Sequence, residues 1–149
     1  MRNTFKKEWI SRYFELSKHI AEWSKDPSTK VGAVIVDKDG KILSLGYNGF
    51  PRGVEDTEER LNNREVKYNL IVHAEANSIL NAATSVSGSR IFTSKFPCNE
   101  CSKLIVQAGI SILYTTSPDS DIELYNRYKE KFEYSKLILK EGNVEVNYI

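Results

Sequence analysis

"HAEANSILNAATSVSGSRIFTSKFPCNECSKLIVQAGISILYTT", residues 73–116, carries two kinds of pattern in turn. "HAEANSILNAATS" is rich in Ala and Leu and reads as a helix. Gly88 ends that region, and "RIFTS" follows as a short strand. "CNECSKLIVQAGI" reads as a second helix closed by Gly109, and "SILYTT" as the next strand. Helix, strand, helix, strand is the signature of a layered α/β unit.

The flanks extend it. Upstream, "VGAVIVD" (31–37) is a β-branched run that reaches the turn signal Asp39-Gly40, and "KILSLGYNGF" returns as a second strand, so 31–50 reads as a hairpin. Gly46, Gly49 and Gly53 with Pro51 read as a loop. Residues 54–72 are mixed in charge and poorly periodic, either a loop or a short helix with a strand-like "LIV" end. Further back, Phe5, Trp9, Tyr13, Leu16 and Ile20 recur at helical spacing, with Ile10, Phe14 and Ala21 beside them. That amphipathic helix is expected to stop at Asp26-Pro27. Downstream, 120–141 reads as one or two helices stopped at Gly142, and Val144, Val146 and Tyr148 alternate in a last strand. The whole is α/β, with helices on both faces of a mixed sheet.

A chain of 149 residues, 40% apolar and 28% charged, is enough for one domain over 1–149. Net charge of +1 provides no field toward nucleic acid or an anionic membrane. No apolar run approaches the roughly 20 residues of a membrane helix, and the charged N-terminus is unlike a signal peptide. Two cysteines are too few for a disulfide framework, which points to a reducing, cytoplasmic setting.

Those two cysteines, Cys98 and Cys101, stand at helical spacing in the first turn of their helix, where free N–H groups favour thiolate. A zinc site wants about four ligands, so two thiols need completing. The chain has two histidines. His19 sits among polar neighbours in the first helix and reads as a surface residue. His73 opens a helix with Glu75 two residues on. H-x-E (73–75) followed by P-C-x-x-C (97–101) is the signature of zinc-dependent nucleobase deaminases. Three protein ligands leave a fourth position for water, the mark of a catalytic zinc. Two thiolates cancel the charge of Zn2+, so the ion acidifies water less than one held by three imidazoles, and a nearby base is needed. Glu75 is placed for that. Residues two apart on a regular helix diverge by about 200°, but a non-helical His73 lets both side chains face one pocket. Glu75 then serves as both general base and general acid.

Four stretches carry a closer resemblance: "SKDPSTKVGAVIVDKDGKI" (24–42), "GYNGFPRG" (46–53), "HAEANSIL" (73–80) and "FPCNECSKLIVQAGI" (96–110). In this order they resemble the deoxycytidylate (dCMP) deaminases of the cytidine deaminase superfamily. The resemblance implies a three-layer α/β/α fold with a five-stranded mixed sheet, and hydrolysis of dCMP to dUMP and ammonia for thymidylate synthesis. It implies one Zn2+ on His73, Cys98 and Cys101, with Glu75 as proton shuttle. Asn48 matches the residue that bonds the sugar hydroxyl, and the N–H of Ala74 the group that meets the pyrimidine carbonyl. It further implies a homo-oligomer, commonly a hexamer, with Mg2+-dCTP as activator and dTTP as inhibitor. With no further cysteines, a second structural zinc lacks its thiols.

The 5′-phosphate needs donors. Ser28, Thr29 and Lys30 before the first strand, and Arg52 after Asn48, are the candidates. Turn chemistry after Pro27 or plain surface charge explains them equally well. Lys95 stands near the zinc loop. Other readings are a deaminase of another cytosine nucleotide or nucleoside, a non-catalytic zinc module, and a thiol redox pair. Trp9, Tyr13 and Phe14 read as core rather than as a base-stacking platform.

Overall fold

The structure is a computed structural model and describes residues 5–149. Among these, five strands form one mixed sheet: β1 Gly32–Val36, β2 Ile42–Tyr47, β3 Arg90–Thr93, β4 Ile112–Thr115 and β5 Glu145–Tyr148, in the order β2-β1-β3-β4-β5. β1 pairs antiparallel with β2 and β3, whereas β3, β4 and β5 run parallel. The helices are α1 Lys7–Ala21, α2 Glu58–Asn62, α3 Arg64–Leu70, α4 Ala74–Asn81, α5 Asn99–Gln107 and α6 Ile122–Glu141.

All five residues of β1 are buried, as a central strand covered on both faces requires. On one face Val34, Val36, Phe92, Ile112 and Tyr114 meet Tyr13 and Phe14 of α1. On the other, Ala33, Ile35, Ile91 and Leu113 pack with Ala74 of α4, Ile105 of α5, and Phe132 and Leu139 of α6. The three-layer α/β/α arrangement is thus present. Two glycines let the layers close up. A Cβ on Gly32 would lie 2.0 Å from the Ser17 carbonyl oxygen of α1. One on Gly46 would lie 2.4 Å from the Ser78 nitrogen of α4. Gly46 is therefore a strand residue under a helix, not a loop residue.

Other boundaries shift too. α1 ends at Ala21, well before Pro27, and Ser24 Oγ then donates to the Asn48 carbonyl at 2.8 Å. Trp9 is 45% exposed, under the Arg12 guanidinium at 4.6 Å, so only Tyr13 and Phe14 of that trio are core. The uncertain 54–72 stretch resolves into α2 and α3, capped by the side chains of Thr57 and Asn63. Its "LIV" end makes one bridge, Val72 to Gly49, rather than a strand. α4 stops at Asn81, short of the "AATS" read with it. α6 is one helix kinked at Tyr128. Its end is turned by Asn143 at φ 59°, while Gly142 keeps an ordinary φ of −76°.

Candidate active site

The N-termini of α4 and α5 meet on one side of the sheet. His73 caps α4 with extended backbone (φ −72°, ψ 155°), so its ring leaves the helix and need not diverge from Glu75. Cys98 likewise caps α5 from outside (φ −70°, ψ 173°), and Cys101 lies one turn in. Nδ1 of His73 stands 3.4 Å from Sγ of Cys98 and 3.4 Å from Sγ of Cys101. All three ligand atoms lie within 4.8 Å of one another.

The donor set fits zinc. Bond lengths of about 2.3 Å to sulfur and 2.05 Å to nitrogen, at a tetrahedral angle, put S and N about 3.6 Å apart. The two observed separations are close to that and equal to each other, as expected for spokes of one centre.

The cluster's protonation agrees. The hydrogen bond to Cys98 holds the His73 imidazole up at about 9. Cys98 is brought down to about 4, first by its bond with Cys101 and also by His73, against the effect of burial. Cys101, bonded to that thiolate and buried, is pushed up. A cation entering this group displaces protons. Glu75 is 4% exposed, and burial raises its carboxyl to about 7. Glu75 lines the same cleft as His73 and Cys98.

The cleft over this cluster is also lined by Ser28, Thr29, Asn48 and Ala74. Asn48 is 5% exposed. Its Oδ1 accepts from the Val31 N–H at 2.8 Å, and its Nδ2 donates to the Thr29 carbonyl at 2.9 Å. Lys30 and Arg52 lie outside the cleft lining, and both are exposed. Thr29 and Val31 line the cleft, whereas Lys30 between them is exposed and outside it. Arg52 reaches Asn81 Oδ1 at 3.3 Å instead.

Other charged groups take their place. Lys67, Lys95 and Arg127 line the cleft, with Asp26 and Tyr68. Lys67 is paired with Asp26 at 2.9 Å and Lys95 with Asp121 at 3.1 Å. Arg127 has a looser partner, Glu123 at 3.7 Å, whose side chain is 87% exposed. It also donates to the Tyr68 hydroxyl at 3.4 Å. The sequence signal available for Asp26 was the Asp-Pro-Ser-Thr run, an Asx-type turn. Lys67 and Arg127 lie in charge-rich helices with no local mark.

Comparison with known proteins bears on this arrangement. The family described as the cytidine and deoxycytidylate deaminase zinc-binding region matches residues 7–117. An uncharacterized deaminase in the luxG 3′ region of Aliivibrio fischeri is 39% identical over 142 residues, 95% of this chain and 94% of that one. A probable deoxycytidylate deaminase of Drosophila melanogaster is 38% identical over 157 residues, 94% of this chain and 77% of that one. The crystal structure of dCMP deaminase from the cyanophage S-TIM5, in complex with dCMP and dUMP, superposes with a TM-score of 0.76. It is 27% identical and covers 98% of this chain and 100% of that one. The sheet, the two converging helix starts and these matches agree: the chain belongs to the cytidine and deoxycytidylate deaminase family.

Proposed function

We propose that residues 1–149 form one zinc-dependent deaminase domain that hydrolyses dCMP to dUMP and ammonia. The observation that carries this reading is the imidazole equidistant from two sulfurs, with a buried carboxylate beside them. His73, Cys98 and Cys101 hold the ion. Zinc bound there supplies a Lewis acid that makes water nucleophilic near neutral pH. Glu75 accepts a proton from the attacking water. It gives that proton to the ring nitrogen, then takes the second one from the new C4 hydroxyl and hands it to the departing amine, leaving a C4 carbonyl and ammonia. Burial suits it to both tasks, because a carboxyl raised toward 7 gains and loses a proton with little cost at working pH. The N–H of Ala74, in the first turn of α4 and without an intrahelical acceptor, is the donor we assign to the pyrimidine carbonyl.

The charge balance of the cleft orients a nucleotide. Lys67 and Lys95 each face a carboxylate, whereas Arg127 keeps the weakest pairing of the three. The 5′-phosphate therefore goes toward Arg127, with the Thr29 hydroxyl as a further donor, since the N–H and the hydroxyl of Ser28 both donate to Asp26 Oδ1, and the base goes toward His73. Asn48 takes the sugar.

The same membership supports a homo-oligomer, commonly a hexamer, and regulation by dCTP and dTTP. Trp23 and Tyr47, 53% and 41% exposed and meeting edge-on at 6.0 Å, give such an assembly an apolar surface. Free thiols at the site suit a cytoplasmic setting. Among the described residues no helix is long and apolar enough to cross a membrane.

The test is zinc content by elemental analysis together with ammonia release from dCMP, CMP, dCTP, deoxycytidine and guanine, with and without added dCTP. One zinc per chain and preference for dCMP are expected. Ammonia from another base or nucleoside alone would reassign the substrate. Zinc without any deamination would leave a binding module.

A further inference from the structure

Lys67 and Asp26 form a buried ion pair that the deamination chemistry does not use. Lys67 lies in α3 and Asp26 in the turn after α1. Both side chains are 5% exposed, and Nζ stands 2.9 Å from Oδ1. Nζ also donates to Ser28 Oγ at 2.7 Å. The same Oδ1 accepts the N–H of Ser28 at 2.9 Å and that of Thr29 at 3.2 Å. The Asn48 amide reaches Oδ2 at 3.4 Å. One carboxylate thus gathers the turn, and one ammonium fastens it to α3.

A buried ion pair contributes little net stability, because removing both ions from water offsets their attraction. What it supplies here is geometry. α3 runs directly into Ile71, Val72 and His73. Val72 exchanges two backbone hydrogen bonds with Gly49, the neighbour of Asn48. The segment that carries the imidazole is therefore tied twice to the segments that carry Ser28, Thr29 and Asn48. One tie is the backbone bridge and the other is the Lys67 ammonium.

We propose that Lys67 is a positioning residue. Through Asp26 and Ser28 it holds the 26–31 turn and the Asn48 amide at a set distance from His73, so that they receive the sugar–phosphate end of a nucleotide. Lys67 brings no net charge to that ligand, because Asp26 neutralises it. The inference rests on the nucleotide reading given above.

The experiment compares zinc-loaded wild type, Lys67→Met and the doubly neutral Asp26→Asn/Lys67→Met. It measures kcat and KM for dCMP, affinity for dUMP and zinc per chain. Lys67→Met leaves a buried carboxylate unpaired and can fail to fold, so the double variant decides. It is expected to keep one zinc per chain and a kcat within about threefold of wild type. Its KM for dCMP and its Kd for dUMP rise about tenfold or more, the pattern of lost binding that does not touch the chemical step. Three results overturn the proposal: unmoved KM and Kd, a fall in kcat at constant KM, or loss of fold or zinc in the double variant. Wild-type activity on dCMP checks the underlying reading separately. Its absence sinks that reading, whereas an active wild type with an unaltered double variant sinks only the role of Lys67.

Discussion

Gly46→Ala tests how tightly α4 is seated. Gly46 lies in β2 directly beneath α4, and its φ is not in the left-handed region, so alanine carries no backbone penalty there. The added methyl would lie 2.4 Å from the Ser78 nitrogen, 2.5 Å from the Ala74 carbonyl oxygen and 2.9 Å from the Ser78 Cα. All three are backbone atoms of one helix, so no side-chain rotation relieves the contact. Ordinary contact begins near 3.4 Å, which means α4 must recede by about 1 Å. Overpacking of this size costs about 1–3 kcal/mol. At about 2–4 °C per kcal/mol for a domain near this length, Tm falls by roughly 2–12 °C. Ala74 and Glu75 ride on the displaced turn, and a misplacement of about 1 Å at a reacting group costs on the order of 10²-fold in rate. Thermal melts followed by circular dichroism, and initial rates of dCMP deamination well below Tm, measure the two effects. If Gly46→Ala matches wild type in both Tm and kcat/KM, the close seating of α4 on β2 is wrong as described here.

Three further outcomes follow from the site. Glu75→Gln keeps zinc and fold but lowers kcat by about 10²–10⁴-fold, and a fully active variant refutes the shuttle role. Arg127→Gln loses a charge-assisted contact of about 1.5–3 kcal/mol, so kcat/KM for dCMP falls roughly 10–150-fold while that for deoxycytidine changes little; an equal fall for both substrates would remove the phosphate from Arg127. The last concerns acid. Burial pushes the Asp26 carboxyl up, but the hydrogen bonds from Lys67 and from the N–H groups of Ser28 and Thr29 hold it below the usual range. Its folded value is thus depressed relative to about 3.9 in the unfolded chain, so its contribution is complete above about pH 4 and is lost as pH falls through the folded value. Urea unfolding between pH 6 and 3 should show wild type losing stability faster below pH 4 than Asp26→Asn/Lys67→Met, by at most about 1.4 kcal/mol per pH unit. Parallel curves would show that Asp26 is not held as described.

What could be read from the chain and what could not divides along a physical line. His73, Glu75, Cys98 and Cys101 were legible because their chemistry fixes residue types at short spacings on two helix starts, and each short motif is local. The alternation of helix and strand over 73–116 was legible for the same reason. Packing across the chain was not. Gly46 resembles any loop glycine until α4 is laid on it, since the need for a missing Cβ belongs to the neighbour. Lys30 was a fair phosphate candidate by proximity, yet it stands outside the cleft that its neighbours Thr29 and Val31 line. Lys67 reads as a surface charge in a mixed-charge helix, because lysine is almost never buried without a partner, and that partner is 41 residues away. Arg127 gains its place only because α6 passes over the cleft beside Tyr68. The imidazole–thiol cluster is thus written in two short local motifs, while the end that would choose among nucleotides is assembled from α3, α6 and the 26–31 turn. Relatives that share the first can differ in the second, so the choice of nucleotide has to be tested at Arg127, Asn48 and the Asp26–Lys67 pair rather than at the metal ligands.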